Sequence, residues 1–560
     1  MIRRALRTLR EIDPIAIVAI FVLLLGAGQL VAGALSTGVT IDEPIEVEET
    51  QSWIGDGWYL PGYLLVDGKP DPNNELASPY VYGPAFGATA HLANLVLGNE
   101  PSGEISDSAA SYDVRHLLTA LLAAIAVGAV GLAVWRLTGS LRFALWAAAG
   151  LLAVPAWTGH GFFNPKDIPG GCGYTLVTVA LLLALAETTR ARPPAWRRLG
   201  IAVLLAGGTF IGAGTRLTLL VPLLLSLLVY AALRLAQRQL GKVDTGRSVD
   251  VAVAAGAIVG FASIAAIYPK AASSPFSLLT KSVSGSSGYP WHGFTLTAGR
   301  LLSEHPPWYY LPAWIGGSYP VLLGALAVLG ALAGVRSLLR ARGRAWRGAL
   351  WRRPDLGLVL VLQQALLLPV GAIVIGAVMY DGIRQHLYVL PAIAILAGVG
   401  AHRFWTWTGA RERASGWRTA AAALLLAALI VPTVEQTVLF PYNYAYVNPI
   451  AGIGGVNGRW ETDYWFASGP EAGSGIPSGV EAGCLLEYPS WPCDEDQRAE
   501  IAEQQGTDVE PRWRNARSGS WLILRRHNAN APPEGCREVD DVTRWLRGEE
   551  VIMSYVLRCR

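Results

Sequence analysis

The first apolar run, Pro14 to Thr37, is long enough to cross a bilayer, and ten more such segments follow before residue 440. They cover about Leu117–Leu137, Phe143–Thr158, Gly170–Glu187, Leu199–Ala213, Leu217–Leu235, Val251–Tyr268, Leu311–Leu339, Leu356–Met379, Leu387–Trp405 and Thr419–Leu439. Each reads as one spanning helix. Past residue 440 the long apolar runs stop, and a polar tail rich in Gly and Pro begins.

A second pattern lies in the connections. Every second one is rich in arginine, as at Arg136–Arg142, Arg190–Arg198, Arg234–Lys242 and Arg336–Arg353, and those between are not. Short basic connections stay on the cytoplasmic side, so the alternation predicts a topology. The basic N-terminus (Arg3, Arg4, Arg7, Arg10) has no small-residue cleavage site after it, which predicts an uncleaved anchor with a cytoplasmic N-terminus. Outside would then lie loop 38–115, the connection Asn164–Asp167, the loop Lys270–Tyr310 and the tail 441–560.

Composition agrees with the pattern. The 560 residues are 52% hydrophobic and only 16% charged, which excludes an ordinary soluble protein. The net charge of +3 decides little, and the arginine clusters are explained by topology, leaving nucleic-acid binding without support. Four of the five cysteines, Cys484, Cys493, Cys536 and Cys559, lie in the tail. An even number in an exported segment reads as two disulfides. Three pairings are open, with Cys484 to Cys493 favoured by proximity; a zinc site would want a Cys-x-x-Cys pair or clustered His, which the spacing lacks.

Ionisable groups recur at the ends of spans on the predicted outer face. Asp42 and Glu43 follow the first span, Asp113, Arg115 and His116 open the second, and His160, Lys166 and Asp167 follow the third. Arg216 sits at a hairpin tip, His305, Trp308, Tyr309 and Tyr310 precede the eighth span, and Asp381, Arg384 and His386 lie between the ninth and tenth. Charges next to a bilayer are costly, so their gathering on one side predicts a polar cavity, with arginines for an anionic headgroup and carboxylates for acid–base work. For each residue alone, a solvated acidic loop or an interfacial anchor is the competing reading.

Taken in order, these residues resemble a family. An acidic pair after the first span (Asp42-Glu43), an arginine opening the second (Arg115), Asn164-Pro165-Lys166-Asp167, the stretch His305–Tyr310, and Tyr380–His386 before a Leu-x-x-Leu-Pro span are similar to the GT-C glycosyltransferases. The group is the one that includes the protein O-mannosyltransferases and the lipid A aminoarabinose transferases, glycosyltransferase family 39 and its relatives. The segment Tyr442–Asn448 with Asp463-Tyr464-Trp465 extends the resemblance to about residue 468.

That resemblance implies an all-α polytopic membrane protein of GT-C type with about eleven transmembrane helices. It would comprise a catalytic domain, 1–440, and a small extracytoplasmic α/β or mixed domain, 441–560. The implied enzyme is a polyprenyl-phosphate-sugar-dependent glycosyltransferase. It would pass a sugar from that donor to a glycan, lipid or protein acceptor on the outer face of the cytoplasmic membrane, by an inverting single displacement. Asp42 would be the base and Glu43 its orienting partner. Arg115, Arg384, Lys166, Arg216 and His386 would hold the donor phosphate. Asp167, His305, Trp308, Tyr309, Tyr310 and Asp381 would contact substrate, and Asp42 and Asp167 are candidates for a divalent cation such as Mg or Mn. Two other classes stay open. One is a transporter or flippase of a lipid-linked sugar, the other a non-catalytic membrane scaffold.

Overall fold

The computed structural model describes residues 13–99, 109–188, 193–241, 246–340, 354–409, 414–477, 480, 482–487, 491–492, 521–525 and 534–560. Its helices are α1 (Pro14–Ser36), α2 (Glu43–Asp56), α3 (Ala85–Leu97), α4 (Ala109–Thr138), α5 (Leu141–Leu152), α6 (Pro155–Phe163), α7 (Asp167–Glu187), α8 (Ala195–Thr215) and α9 (Leu220–Gly241). They continue with α10 (Arg247–Ile267), α11 (Pro269–Ala272), α12 (Pro275–Ser287), α13 (Tyr310–Gly317), α14 (Val321–Arg340), α15 (Leu358–Ile375), α16 (Val389–Gly409), α17 (Ala414–Leu439) and α18 (Gly469–Ser474). Among the described residues nine helices are long and apolar enough to cross a membrane, and eleven if two bent pairs each count as one span.

Those pairs correct two expected spans. The third is not one helix over Phe143–Thr158 but α5 and α6, bent by 64°, and the second piece runs on to Phe163. Pro155 removes an amide donor and forces Val154 into extended backbone, so the helix must restart there. The eighth is α13 and α14, bent by 114°, at a break where Gly316-Gly317 and then Pro320 deny the helix its continuation. The basic N-terminus Arg3–Arg10 lies outside the described residues, as does most of the arginine-rich connection before α15.

Helix α7 is the centre of the bundle and is buried nearly all round. It packs on α8 through Gly173 and Gly212, and α14 packs on α16 through Gly330 and Gly400. A Cβ at Gly400 would stand 1.9 Å from the Leu326 carbonyl oxygen, and one at Gly330 2.0 Å from that of Leu396. Backbones this close admit no side chain, the usual device by which apolar helices gain contact where lipid offers no hydrophobic drive.

Strands form a separate layer at one end. Two short antiparallel pairs, β1 (Leu65–Val66) with β2 (Lys69–Pro70) and β3 (Thr295–Thr297) with β4 (Arg300–Leu302), come first in the chain, and a five-stranded sheet then runs in the order β6 (Trp491–Pro492), β5 (Ala482–Glu487), β7 (Trp521–Arg525), β9 (Glu549–Cys559), β8 (Cys536–Leu546). β5 and β7 are parallel, and the other pairs are antiparallel. β8 and β9 make a hairpin with Arg547 and Gly548 at positive φ in its two-residue turn, and Cys536–Cys559 closes the open end as a disulfide. Cys484 is disulfide-bonded too; Cys493 lies outside the described residues, and Cys172 is buried and free. The sheet grips the helical body. The Glu549 carboxylate accepts from the Val456 and Asn457 amides at 2.8–3.1 Å, Arg544 pairs with Glu471 at 2.6 Å, and Arg547 pairs with Glu435 at 2.9 Å.

The tight α14–α16 contact is testable by thermal unfolding in detergent. Gly400→Val should cost about 1–3 kcal/mol or more, with a lowered Tm. Gly416→Ala, where a Cβ meets nothing within 4 Å, should leave Tm unchanged or slightly raised.

Candidate active site at one end of the bundle

Several connections at one end of the bundle contribute to one cluster, and α2 supplies its floor. Asp42 sits at the N-cap of α2, and Glu43, Glu46 and Glu49 follow at intervals of three, all buried on one helix face. Glu43 is turned away from the cluster. Its Oε2 accepts from the Thr40 amide and hydroxyl at 2.9 and 3.0 Å, and its Oε1 lies 2.9 Å from His116 Nε2. His116 Nδ1 stands 2.9 Å from the Ala34 carbonyl oxygen, so with a carbonyl on one side and the Glu43 carboxylate on the other both ring nitrogens donate, and the ring ties α2 to the end of α1.

The open side of α2 carries ion pairs. Arg384 donates to Asp42 at 3.0 Å and pairs with Asp381 at 3.2 Å, while its guanidinium lies 4.9 and 4.6 Å from the ring centres of Tyr380 and Trp465. Lys166 Nζ stands 3.9 Å from Asp42 and 3.6 Å from Glu46, over the Tyr82 ring. Arg115 completes this side with a 3.0 Å bond to Glu46. Arg216 pairs with Asp167, donates to the Gln385 carbonyl at 3.3 Å, and also lies against Tyr82. Six of the candidates named from the sequence, Asp42, Lys166, Asp167, Arg216, Asp381 and Arg384, thus meet in one continuous network, and Arg115 joins it through Glu46.

Asp167 is held from behind. Asn164 Oδ1 accepts from the Lys166 and Asp167 amides at 3.2 and 2.8 Å, which fixes the amide orientation. The Asn164 amino group then donates to Asp167 Oδ2 and to His160 Nδ1, both at 3.0 Å. His160 Nε2 therefore carries the ring proton and reaches the Tyr464 hydroxyl at 3.0 Å. Arg525, on the sheet, donates to the Tyr464 carbonyl at 2.8 Å, so the tail braces this wall of the site.

Burial and charge divide the acids. Burial pushes the Asp42 carboxyl up, but Arg384, Lys166 and Arg216 outweigh it and hold Asp42 below the usual carboxylate range. Burial wins at Glu46, pushed up to about 8 against Lys166 and Arg115, and at Glu49, pushed up to about 7. Glu49 Oε2 and Glu46 Oε1 are buried without a hydrogen-bond partner. Within this group four cations (Arg115, Lys166, Arg216, Arg384) face five carboxylates (Asp42, Glu46, Glu49, Asp167, Asp381), so one retained proton makes it neutral. The spacing of three from Glu43 through Glu46 to Glu49 was the available signal, read from the sequence as a solvated acidic run.

Next to the network a cavity of about 300 Å³ opens between α9, α12 and α15. Its long walls are apolar, with Leu219, Leu225, Val283, Leu368 and Ile375 among them, and its polar end is built by Arg216, His386, Gln385, Tyr82 and Tyr380. Burial, helped by Arg216, pushes His386 down to about 3, so it is a neutral imidazole at pH 7 and not a cation.

Other candidates stand apart. His305 lies against the Gly376 carbonyl at 3.1 Å in an exposed position, Trp308 is 70% exposed, and Tyr309 lies against Arg300. Tyr310 is fully buried and donates to the Gly382 carbonyl at 3.0 Å, which props the loop whose Asp381 and Gly382 take positive φ. Asp42 and Asp167 already hold arginines, and no group of three His, Cys, Asp or Glu gathers around a common point among the described residues.

No protein-family model and no curated protein sequence matches the chain. Solved structures similar to it include ArnT from Cupriavidus metallidurans bound to undecaprenyl phosphate, at 12% identity over 96% of this chain and 97% of that one, with a TM-score of 0.46. The oligosaccharyltransferase of Archaeoglobus fulgidus in the apo form is similar at 13% identity over 87% of this chain and 63% of that one, with a TM-score of 0.47. Its complex with Zn and sulfate gives 14% identity, 91% and 68% coverage and a TM-score of 0.46. At these values the likeness carries no argument about the chemistry of this chain.

The raised carboxylates give a pH signature. The folded chain keeps the Glu49 proton to about pH 7, whereas an unfolded chain gives it up near its ordinary value of 4.5. Stability from this site is complete below 4.5 and is lost as pH rises through 7. Glu49→Gln cannot ionise, so its Tm relative to wild type should climb by a few degrees between pH 5 and 8 in a thermal-unfolding series. A difference constant with pH would rule this out.

Proposed function

We propose that this protein transfers a sugar from a polyprenyl-phosphate donor to an acceptor hydroxyl at the Asp42 end of the bundle, by a single displacement with inversion. The carrying observation is the apolar cavity whose polar end, Arg216 with His386, adjoins the Asp42–Arg384 ion pair. A long hydrocarbon with one anionic terminus is the ligand chemistry that such a groove suits. A soluble nucleotide sugar would have no use for the apolar walls.

In this reading the donor phosphate takes hydrogen bonds from Arg216, Arg384 and neutral His386, with Lys166 contributing charge. The competition for Arg384 matters. While it binds Asp42, the carboxylate is held acidic and is a weak base; once Arg384 turns to phosphate, Asp42 loses its strongest opposing charge and gains basicity where the acceptor arrives. Asp42 then takes the hydroxyl proton, the hydroxyl oxygen bonds to the anomeric carbon, and the bond from that carbon to the phosphate oxygen breaks. The electron pair leaves with polyprenyl phosphate, whose growing charge the arginines already face. Glu43, locked on Thr40 and His116, sets the position of Asp42 and does not itself touch substrate. Asp167 and Asp381 hold Arg216 and Arg384 in place. The arginine alternation supports the outer face of the cytoplasmic membrane for this end, with the sheet 482–560 beside it.

Asp42→Asn should lower single-turnover transfer by about 10²–10⁴-fold, the range for a general base, while undecaprenyl phosphate still binds. The measurement is release of polyprenyl phosphate from a panel of synthetic polyprenyl-phosphate sugars. Loss of binding together with turnover would demote Asp42 to a structural partner of Arg384. Nuclear magnetic resonance of the product should give the anomeric configuration opposite to that of the donor, and retention would reject the single displacement. Movement of labelled lipid-linked sugar across vesicles without any release would favour the flippase instead.

A further inference from the structure

A second cavity, of about 440 Å³, lies at the other end of the bundle. It is framed by the last turn of α4, the last turn of α7 and the first turn of α8. Arg115 in the second turn of α4, Asp167 at the start of α7 and Arg216 just after α8 lie at the far ends of the same helices, so the length of α7, 21 residues, separates the two sites by about 30 Å at 1.5 Å per residue.

Its lining divides by chemistry. Leu132, Leu183, Ile201 and Leu204 make its apolar walls, and half-buried Arg136 and Arg197 make its charged edge, the mouth. Trp135 and Trp196, 52% and 68% exposed, flank it. Arg197 donates through Nη1 to Glu187 at 2.7 Å, and its guanidinium lies 4.9 Å from the Trp196 ring centre. Its Nε–H is buried and has no acceptor. A buried guanidinium donor without a partner is costly, and an oxyanion at the mouth would satisfy it. Exposed tryptophans beside a basic mouth are typical of the depth at which lipid headgroups meet acyl chains.

We propose that this cleft binds an anionic glycerophospholipid, its phosphate between Arg136 and Arg197 and one acyl chain along Leu132, Leu183 and Leu204. The site lies in the leaflet opposite to the Asp42 end and takes no part in sugar transfer. Its role is to fasten the ends of α4, α7 and α8, three helices whose far ends carry the catalytic groups.

Native mass spectrometry of the full chain with equal dioleoyl phosphatidylglycerol and dioleoyl phosphatidylcholine tests this. Phosphatidylglycerol should be retained preferentially, and Arg136→Gln, which leaves the Arg197–Glu187 pair intact, should cut that preference about fivefold, the worth of one basic residue near an anionic surface. Trp196→Leu, on an exposed side chain, should shorten retention of both lipids while the preference persists. Equal retention of the two lipids by wild type, or a preference unchanged in Arg136→Gln, would overturn the proposal. Neither readout depends on transferase activity.

Discussion

The ion pair between Arg384 and Asp42 joins residues 342 positions apart and fixes the geometry of that end of the bundle. Neither charge tolerates a low-dielectric surrounding alone, since each unpaired ion costs several kcal/mol there. The cations and carboxylates of this end come together in contact with one another: Arg115 with Glu46, Lys166 with Asp42 and Glu46, Arg216 with Asp167, Arg384 with Asp42 and Asp381. Removing one member leaves its partner buried and unpaired, so the group behaves as one unit. A ligand phosphate is the natural competitor for such arginines, which makes the network at once a structural tie and a receptive site.

The helix breaks create the room in which this unit sits. A bundle of straight spans would end in short turns and leave no concavity. The 64° bend at Pro155 carries α6, with His160 and Phe163 on it, sideways, and the residues after α17 fold back over it, with Tyr444, Tyr464 and Trp465 packed on those two side chains. Trp465 then does two things: its carbonyl accepts from the Ile41 amide at 3.2 Å, and its ring faces Arg384. The segment following the last span is therefore as much a part of the site as the first loop. Through Arg525 and Tyr464 the terminal sheet is coupled to the same wall.

Much was legible in the order of residues. Spans came from apolar length, and the restricted backbone around proline explains why two of them are bent. Asp42, Lys166, Asp167, Arg216, Asp381 and Arg384 were visible because ionisable groups beside long apolar runs are rare. Tyr82, Glu46, Glu49, Asn164 and Gln385 were not singled out as site residues, since a tyrosine in a loop or a glutamate in an acidic run has no distinguishing neighbour in sequence. Glu43 and His305 were visible for the same reason as Asp42, and yet they face other partners.

What the chain determined alone is where it can span a membrane and which few positions pair charge with apolar surroundings. These depend on properties read over one to twenty neighbouring residues: hydropathy and charge. Only the tertiary structure decided that Asp42 faces Arg384 while Glu43, one residue on, faces His116. A single step along a helix turns a side chain by about 100°, so direction becomes meaningful only once a neighbouring helix is in place. It also decided that the apolar groove ends at Arg216 and His386, because its walls come from three helices far apart in the chain and no local pattern carries their meeting.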